Sequence, residues 1–203
     1  MRSLIYALAG GAALAVVAVG GWLLLTPPDA PRSPAALAIG DTSFGGAFEL
    51  TAHTGDRITD REVIDGPTLI YFGYTYCPDV CPIDAQVMAE AVEMLDQKGH
   101  DVTPVFVTVD PERDTPEELA GYAEAMHPKM LGLTGSEAEI KAVAELYKVY
   151  YDRVEMPDSA IDYLMNHTAY TYFMRPDGVA AVFRNGFPPE EMAGEVARIL
   201  ADG

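Results

Sequence analysis

Thr68-Leu69-Ile70-Tyr71-Phe72-Gly73 is a continuous apolar and aromatic run that leads, without a spacer, into Tyr74-Thr75-Tyr76-Cys77-Pro78-Asp79-Val80-Cys81-Pro82. A short run of that kind reads as a β-strand buried on both faces. From about Asp79 to Lys98, Val80, Ile83, Val87, Met88, Ala91, Met94 and Leu95 recur at helical spacing, and Gly99 supplies a C-terminal stop. A strand buried on both sides needs helices to cover it, so the chain is constrained towards an α/β layer structure. The chain's two cysteines then lie at a strand-to-helix junction.

The remaining segments extend the same pattern. Ala47–Thr51 and Arg57–Thr59 flank the turn-rich His53-Thr54-Gly55-Asp56 and predict an N-terminal hairpin. Val102–Val109 reads as a second buried strand. Thr115-Pro116-Glu117-Glu118 reads as a capping box that opens a helix to about Met126. A further helix is expected over Ser136–Tyr147, a strand over Lys148–Val154, and a long polar loop to Asn166. Strands at Thr168–Met174 and Val179–Arg184, joined by Arg175-Pro176-Asp177-Gly178, precede a last helix after Pro188-Pro189. This order predicts a thioredoxin-like fold: a central mixed sheet flanked by helices, with an extra N-terminal hairpin.

Ahead of that domain, residues Leu4–Leu25 carry no charge over 22 positions, long enough for a helix across a hydrocarbon layer of roughly 30 Å. We expect one transmembrane helix, a membrane anchor over residues 1–25. A cleaved signal peptide fits less well, because the nearest small-x-small site, Ala36-Leu37-Ala38, lies well past the apolar stretch. Arg2 and the terminal amine favour a cytoplasmic N-terminus, with the globular part in a bacterial periplasm or an equivalent compartment. Residues 26–40 are proline-rich and predict a semi-rigid linker, leaving residues 41–203 as one domain.

Thirty-one acidic residues face 13 basic ones, a formal charge of −18, and the basic residues are scattered among carboxylates. That excludes a nucleic-acid partner, which needs clustered Lys and Arg. With 49% hydrophobic residues the chain is too apolar for an acidic disordered tail.

Two cysteines allow one bridge, one metal chelate or one redox couple. An i, i+4 spacing on a helical turn puts both side chains on one face, where free amide N–H groups and the helix dipole stabilise part of each thiol as thiolate. Such a pair is suited to ligate a soft metal or to attack a disulfide. A structural disulfide is the competing reading, but a bridge closing about five residues restricts the unfolded chain little. Structural zinc usually takes four ligands, and no second Cys or His pair exists. Thiolates select Cu(I), and an imidazole would make Cu(II) tolerable. Of the four histidines, His53, His100 and His127 occupy turn positions expected to be solvated. His167 ends the polar loop ahead of a strand, where it could swing towards a metal, although position alone leaves an ordinary hydrogen-bonded histidine the commoner case. Met88, Met94, Met126 and Met130 read as packing residues.

The segment Gly73–Pro82 resembles the Sco/SenC family of membrane-anchored copper proteins needed for cytochrome c oxidase assembly. The segments Val109-Asp110-Pro111-Glu112-Arg113-Asp114-Thr115, Leu131-Gly132-Leu133-Thr134-Gly135, Tyr147–Tyr151, His167-Thr168 and Pro176-Asp177-Gly178 resemble family segments in the same order. The resemblance spans Phe44 to Leu200. It implies a thioredoxin-like fold and one copper per domain, as Cu(I) or Cu(II), held by Cys77, Cys81 and His167. It further implies delivery of copper, received from a periplasmic donor protein, to the CuA centre of cytochrome c oxidase subunit II. The alternative is a thiol-disulfide oxidoreductase in which Cys77 and Cys81 reduce the cysteines of the same target. Two positions depart from the family pattern. Tyr76 stands where many members carry His, which bears on partner docking or redox poise. Asn166 stands where many carry Asp, removing a charged partner for orienting His167.

Overall fold

The computed structural model describes residues 44–157 and 161–202, all within one compact unit, residues 35–203. The expected anchor over Leu4–Leu25 and the linker over residues 26–40 lie outside the described residues. Among the described residues, no helix is long and apolar enough to cross a membrane.

Among the described residues, nine strands and five helices follow in the order β1 (Glu49–Ala52), β2 (Arg57–Thr59), α1 (Asp60–Val63), β3 (Thr68–Gly73), α2 (Val80–Gln97), β4 (Thr103–Thr108), α3 (Pro116–Met126), β5 (Leu131–Thr134), α4 (Glu137–Leu146), β6 (Tyr151–Glu155), β7 (Tyr163–His167), β8 (Tyr170–Arg175), β9 (Gly178–Arg184) and α5 (Pro189–Asp202). Seven strands form one mixed sheet in the order β2-β1-β5-β4-β3-β8-β9, in which β3, β4 and β5 run parallel and β1 and β8 run antiparallel to their neighbours. A β3-α2-β4 crossover followed later by β8-β9-α5 is the thioredoxin-like arrangement, with the β1–β2 hairpin added at one edge.

β3 holds the centre. All six of its residues are buried, between β4 and β8, as its unbroken apolar run requires. Full burial of a side chain such as Leu69, Ile70 or Phe72 is worth about 2 kcal/mol. The core also takes in Phe106, Tyr172, Phe173 and Phe183 from the neighbouring strands. α2 packs on β3 and β4 and against α5, which also packs on β9, and Gly99, at φ 81°, closes α2 in the left-handed conformation a glycine adopts at no steric cost. The buried stripe of α2 is Cys81, Asp84, Ala85, Met88, Ala91, Val92 and Leu95. It is rotated from the stripe read off the sequence, for Ile83 is 57% exposed. The buried Asp84 carboxylate accepts from Asn185 Nδ2 at 2.9 Å, which satisfies a polar group on the apolar face.

α3 and α4 begin as their sequences dictate. Thr115 accepts from the Glu118 N–H with Pro116 at the first helical position, but the reciprocal half of a capping box occurs instead at Ser136 and Glu139. α4 ends without glycine. Lys148 takes φ 57°, and the Val149 N–H returns to the Ala144 carbonyl.

One segment departs from expectation. The polar stretch before Asn166 is not a loop throughout: Tyr163–His167 is a strand, β7, that pairs antiparallel with β6, Tyr151 opposite His167. β6 and β7 form a separate two-stranded ladder outside the main sheet. Weak apolar alternation hid this strand, since tyrosine, methionine and histidine line its inner side rather than β-branched residues.

Candidate metal centre

The carboxyl end of β3 delivers the chain to a tight turn, where the Cys77 N–H bonds the Tyr74 carbonyl. Cys77 precedes α2 and Cys81 is its second residue, so the pair meets across a helix entrance instead of along a formed turn. The N-cap residue Asp79 makes no side-chain cap bond; the Cys81 N–H points at Cys77 Sγ, 3.5 Å away. Cys77 sulfur therefore accepts from an N–H that a capping oxygen would normally take.

Gly73 makes room for the second sulfur. A Cβ there would stand 3.2 Å from Cys81 Sγ, 2.7 Å from Tyr71 Cε1 and 3.1 Å from Phe106 Cε2. The Cys81 sulfur thus packs directly on the backbone of β3, completely buried, whereas Cys77 keeps 9% exposure.

The two thiols are free and unequal. The Cys77 thiol is held well below the ordinary range by the hydrogen bond from Cys81, helped by His167 and by the N–H groups of Cys81 and Asp79, against the opposing effect of burial. Cys81 is pushed up because it gives that hydrogen bond, and because it is buried. Partial ionisation of each thiol, expected from the helix dipole alone, gives way to one shared proton, with Cys77 favoured as thiolate and Cys81 as thiol.

His167 reaches the pair from the end of β7, with Nε2 3.0 Å from Cys81 Sγ. Its Nδ1 lies 3.1 Å from the Thr168 carbonyl oxygen, which can only accept, so Nδ1 carries a hydrogen and Nε2 is the nitrogen that faces the sulfurs. The ring stands edge-on to Tyr71 and Tyr74, at centroid distances of 6.2 and 5.9 Å. The ligand atoms of Cys77, Cys81 and His167 all lie within 4.8 Å of one another. Two thiolates and one imidazole nitrogen at that spacing could share one soft ion in a three-coordinate shell.

Two sequence expectations change. His167 ends a paired strand, so it is presented by a hairpin and does not swing on a free loop. Asn166, one residue along β7, is exposed and opposite Asp152, while the Thr168 carbonyl orients the His167 ring. The identity of residue 166 is therefore not what aims the imidazole.

Two of the other histidines make internal hydrogen bonds rather than facing solvent. His53 is half-buried, and its Nδ1 accepts from the Gly132 N–H at 3.0 Å, tying the β1–β2 turn to β5. His127 is buried and accepts at Nδ1 from the Lys129 N–H. His100, half-buried, follows the stop of α2. Their turn positions hid these roles, because a single buried acceptor leaves no periodic signal.

Residues 108–114 brace the cysteine turn. The fully buried Asp114 carboxylate accepts from the Thr75 N–H at 3.0 Å, from Thr75 Oγ1 and from Thr108 Oγ1. Burial raises its pKa against those three donors. Arg113 lies over the rings of Tyr74, Tyr76 and Tyr163 at 5.6, 5.0 and 3.7 Å from their centroids. Sequence reasoning did not place these residues at the site; their compact run between a strand end and a helix cap was the available signal.

A family model for SCO1/SenC matches residues 37–201. The chain is 42% identical to "Protein SenC" of Rhodobacter capsulatus over 95% of its own length and 88% of that protein. It is 42% identical to the mitochondrial "Protein SCO1 homolog" of Homo sapiens, covering 80% of this chain and 54% of the human protein. The crystal structure of Arabidopsis thaliana ScoI with copper bound superposes with a TM-score of 0.75 at 38% identity, covering 79% of this chain and 99% of that one. A matched profile across nearly the whole compact unit, over a Cys-Cys-His cluster of copper-binding character, assigns this chain to the SCO1/SenC family.

Proposed function

We propose that the chain is a membrane-anchored copper metallochaperone that delivers copper to the CuA centre of cytochrome c oxidase subunit II. The observation that carries this reading is the convergence of Cys77, Cys81 and His167 within 4.8 Å. Family membership supports the link to cytochrome c oxidase assembly. On this reading the N-terminal apolar stretch holds the domain at the inner membrane, with the domain in the periplasm, where a copper donor protein loads it.

The chemistry favours cargo over resident metal. Copper is the substrate, and a three-coordinate shell leaves a side open for an incoming ligand. Cys77, the more accessible sulfur, meets that ligand first. His167 presents Nε2 to the sulfurs as the third ligand atom, and a partner's Cys or His displaces it before both thiolates release. The test is copper loading of the reduced full chain. One copper per chain is expected. His167→Ala should weaken Cu(II) binding far more than Cu(I) binding, because two thiolates alone satisfy Cu(I). An unchanged Cu(II) spectrum in that variant would refute the ligand role.

The unequal thiols favour a second reading on the same residues. The Cys77 thiolate attacks a disulfide of the target, expelling one target thiolate and forming a mixed disulfide. Cys81 then attacks Cys77 sulfur, releasing the second target thiolate and leaving a Cys77–Cys81 disulfide, which a reducing dithiol must return to the free thiols. Thiol exchange of the reduced chain with an oxidised target peptide, with and without a copper chelator, separates the two roles.

A further inference from the structure

The hairpin that carries His167 belongs to no larger sheet, so something other than strand pairing must aim it at the cysteines. Hydrogen bonds leave it for three residues of one segment. Arg113 Nη1 donates to the Tyr163 carbonyl at 3.0 Å, the Tyr163 hydroxyl donates to Asp110 Oδ1 at 2.9 Å, and Arg153 Nη1 meets Glu112 at 2.8 Å. The last pair is solvent-exposed and worth little. The first two are inside: Tyr163 is 4% exposed and Asp110 3%.

Arg113 sits where the two halves of the site meet. Its Nε is ion-paired to Asp110. Its guanidinium meets Tyr74 and Tyr76, which bracket the turn into Cys77, and also the Tyr163 ring at the start of β7. Tyr74 in turn stands edge-on to His167. The Arg113 Nη2 atom is fully buried with no hydrogen-bond partner. Leaving a buried donor unmade costs free energy, offset here by the aromatic faces that only a flat cation can use together.

We propose that Arg113 is a positioning residue that locks the His167 hairpin to the cysteine turn and thereby sets the third copper ligand. This rests on the copper-site reading of Cys77, Cys81 and His167. Arg113 touches neither the sulfurs nor the imidazole. It fixes Tyr163 at one end of β7, and the strand holds His167 at the other.

The test compares the full chain in detergent as wild type, Arg113→Gln, Tyr163→Leu and His167→Ala. Tyr163→Leu removes the ring under the guanidinium, together with its hydroxyl bond to Asp110 and its contact with Arg153, while leaving the Arg113–Asp110 pair, and so covers the case in which Arg113→Gln does not fold. Both clamp variants should bind Cu(I) within about threefold of wild type but lose about tenfold or more in Cu(II) affinity, with spectra shifted towards those of His167→Ala. Arg113→Lys should recover only part of that loss, since an ammonium cannot stack on the rings. In the metal-free proteins, amide hydrogen exchange across Tyr163–His167 should speed up about tenfold with β3 and α2 unchanged. Wild-type Cu(II) spectra and wild-type hairpin exchange in the clamp variants would overturn the proposal. So would a uniform rise in exchange with Cu(I) and Cu(II) affinity falling together, which marks general destabilisation. If His167→Ala itself leaves the Cu(II) spectrum intact, the ligand reading fails, and the metal-free exchange data decide the clamp alone.

Discussion

His167 Nε2 stands 3.0 Å from Cys81 Sγ, although 86 positions of chain separate the two residues. Cys81 is held by the main sheet and the start of α2, and His167 by a hairpin outside that sheet. The site is thus assembled from a rigid half and a docked half. That division suits the proposed carrier role, in which cargo is held and also let go.

The thiols should differ in reactivity. Cys77 is the more exposed and is held as thiolate, whereas Cys81 is buried and retains its proton. Limited iodoacetamide treatment of the metal-free chain at about pH 5, where an ordinary thiol is almost wholly protonated, should label Cys77 and spare Cys81. Peptide mass spectrometry reads the ratio; equal labelling would contradict the shared-proton arrangement.

Gly73→Ala should damage the site from behind. The added methyl meets Tyr71, Phe106 and the Cys81 sulfur in a packed interior. Overpacking of this kind costs about 1–3 kcal/mol. Denaturant titration should register that loss, and copper affinity should fall with it because Cys81 must shift.

Removing Asp114 should loosen the turn before Cys77. Asp114→Ala strips the acceptor from Thr75 N–H, Thr75 Oγ1 and Thr108 Oγ1 in a buried setting. A destabilisation of about 3 kcal/mol is expected, set by the unmet donors. Asp114→Asn keeps an acceptor oxygen and should cost less; chemical denaturation of the pair of variants checks the order.

Acid should weaken the junction between α4 and the β1–β2 hairpin. Glu139 is held down at about 2 by the Ser136 N–H first and then by Arg57 and the Ser136 hydroxyl. A depressed carboxylate contributes stability above its unfolded value, 4.5, and loses it as pH falls towards 2. Glu139→Gln should therefore be less stable than wild type at neutral pH, with the gap closing on acidification through that window. Ser136→Ala should cost about 1 kcal/mol as a lost helix cap. Thermal melts from neutral pH downwards measure both.

Several elements were legible because their cause is local. β3 announces itself as an unbroken apolar run, Gly99 as a helix stop, and Pro116 after Thr115 as a helix start, since each depends on neighbours within one turn or strand. β7 was not legible, because its stability comes from pairing with β6 and from the residues around Arg113 rather than from its own pattern. The phase of α2 was misread for a related reason. Cys81 faces inwards on account of the space at Gly73, on a different secondary-structure element, and Asp84 on account of the Asn185 side chain, far away in sequence.

The sequence by itself pointed to the residues proposed as copper ligands: two soft sulfurs at a strand-to-helix junction and, through the resemblance to the Sco/SenC family alone, one histidine ahead of β8. Only the tertiary structure decided which sulfur keeps the proton, which imidazole nitrogen faces the pair, and what holds the hairpin in place. Which side chains are available as soft ligands is a property of residue type. Proton position and ligand aim depend on burial and on hydrogen bonds between segments far apart in the chain, and those exist only once the sheet has closed.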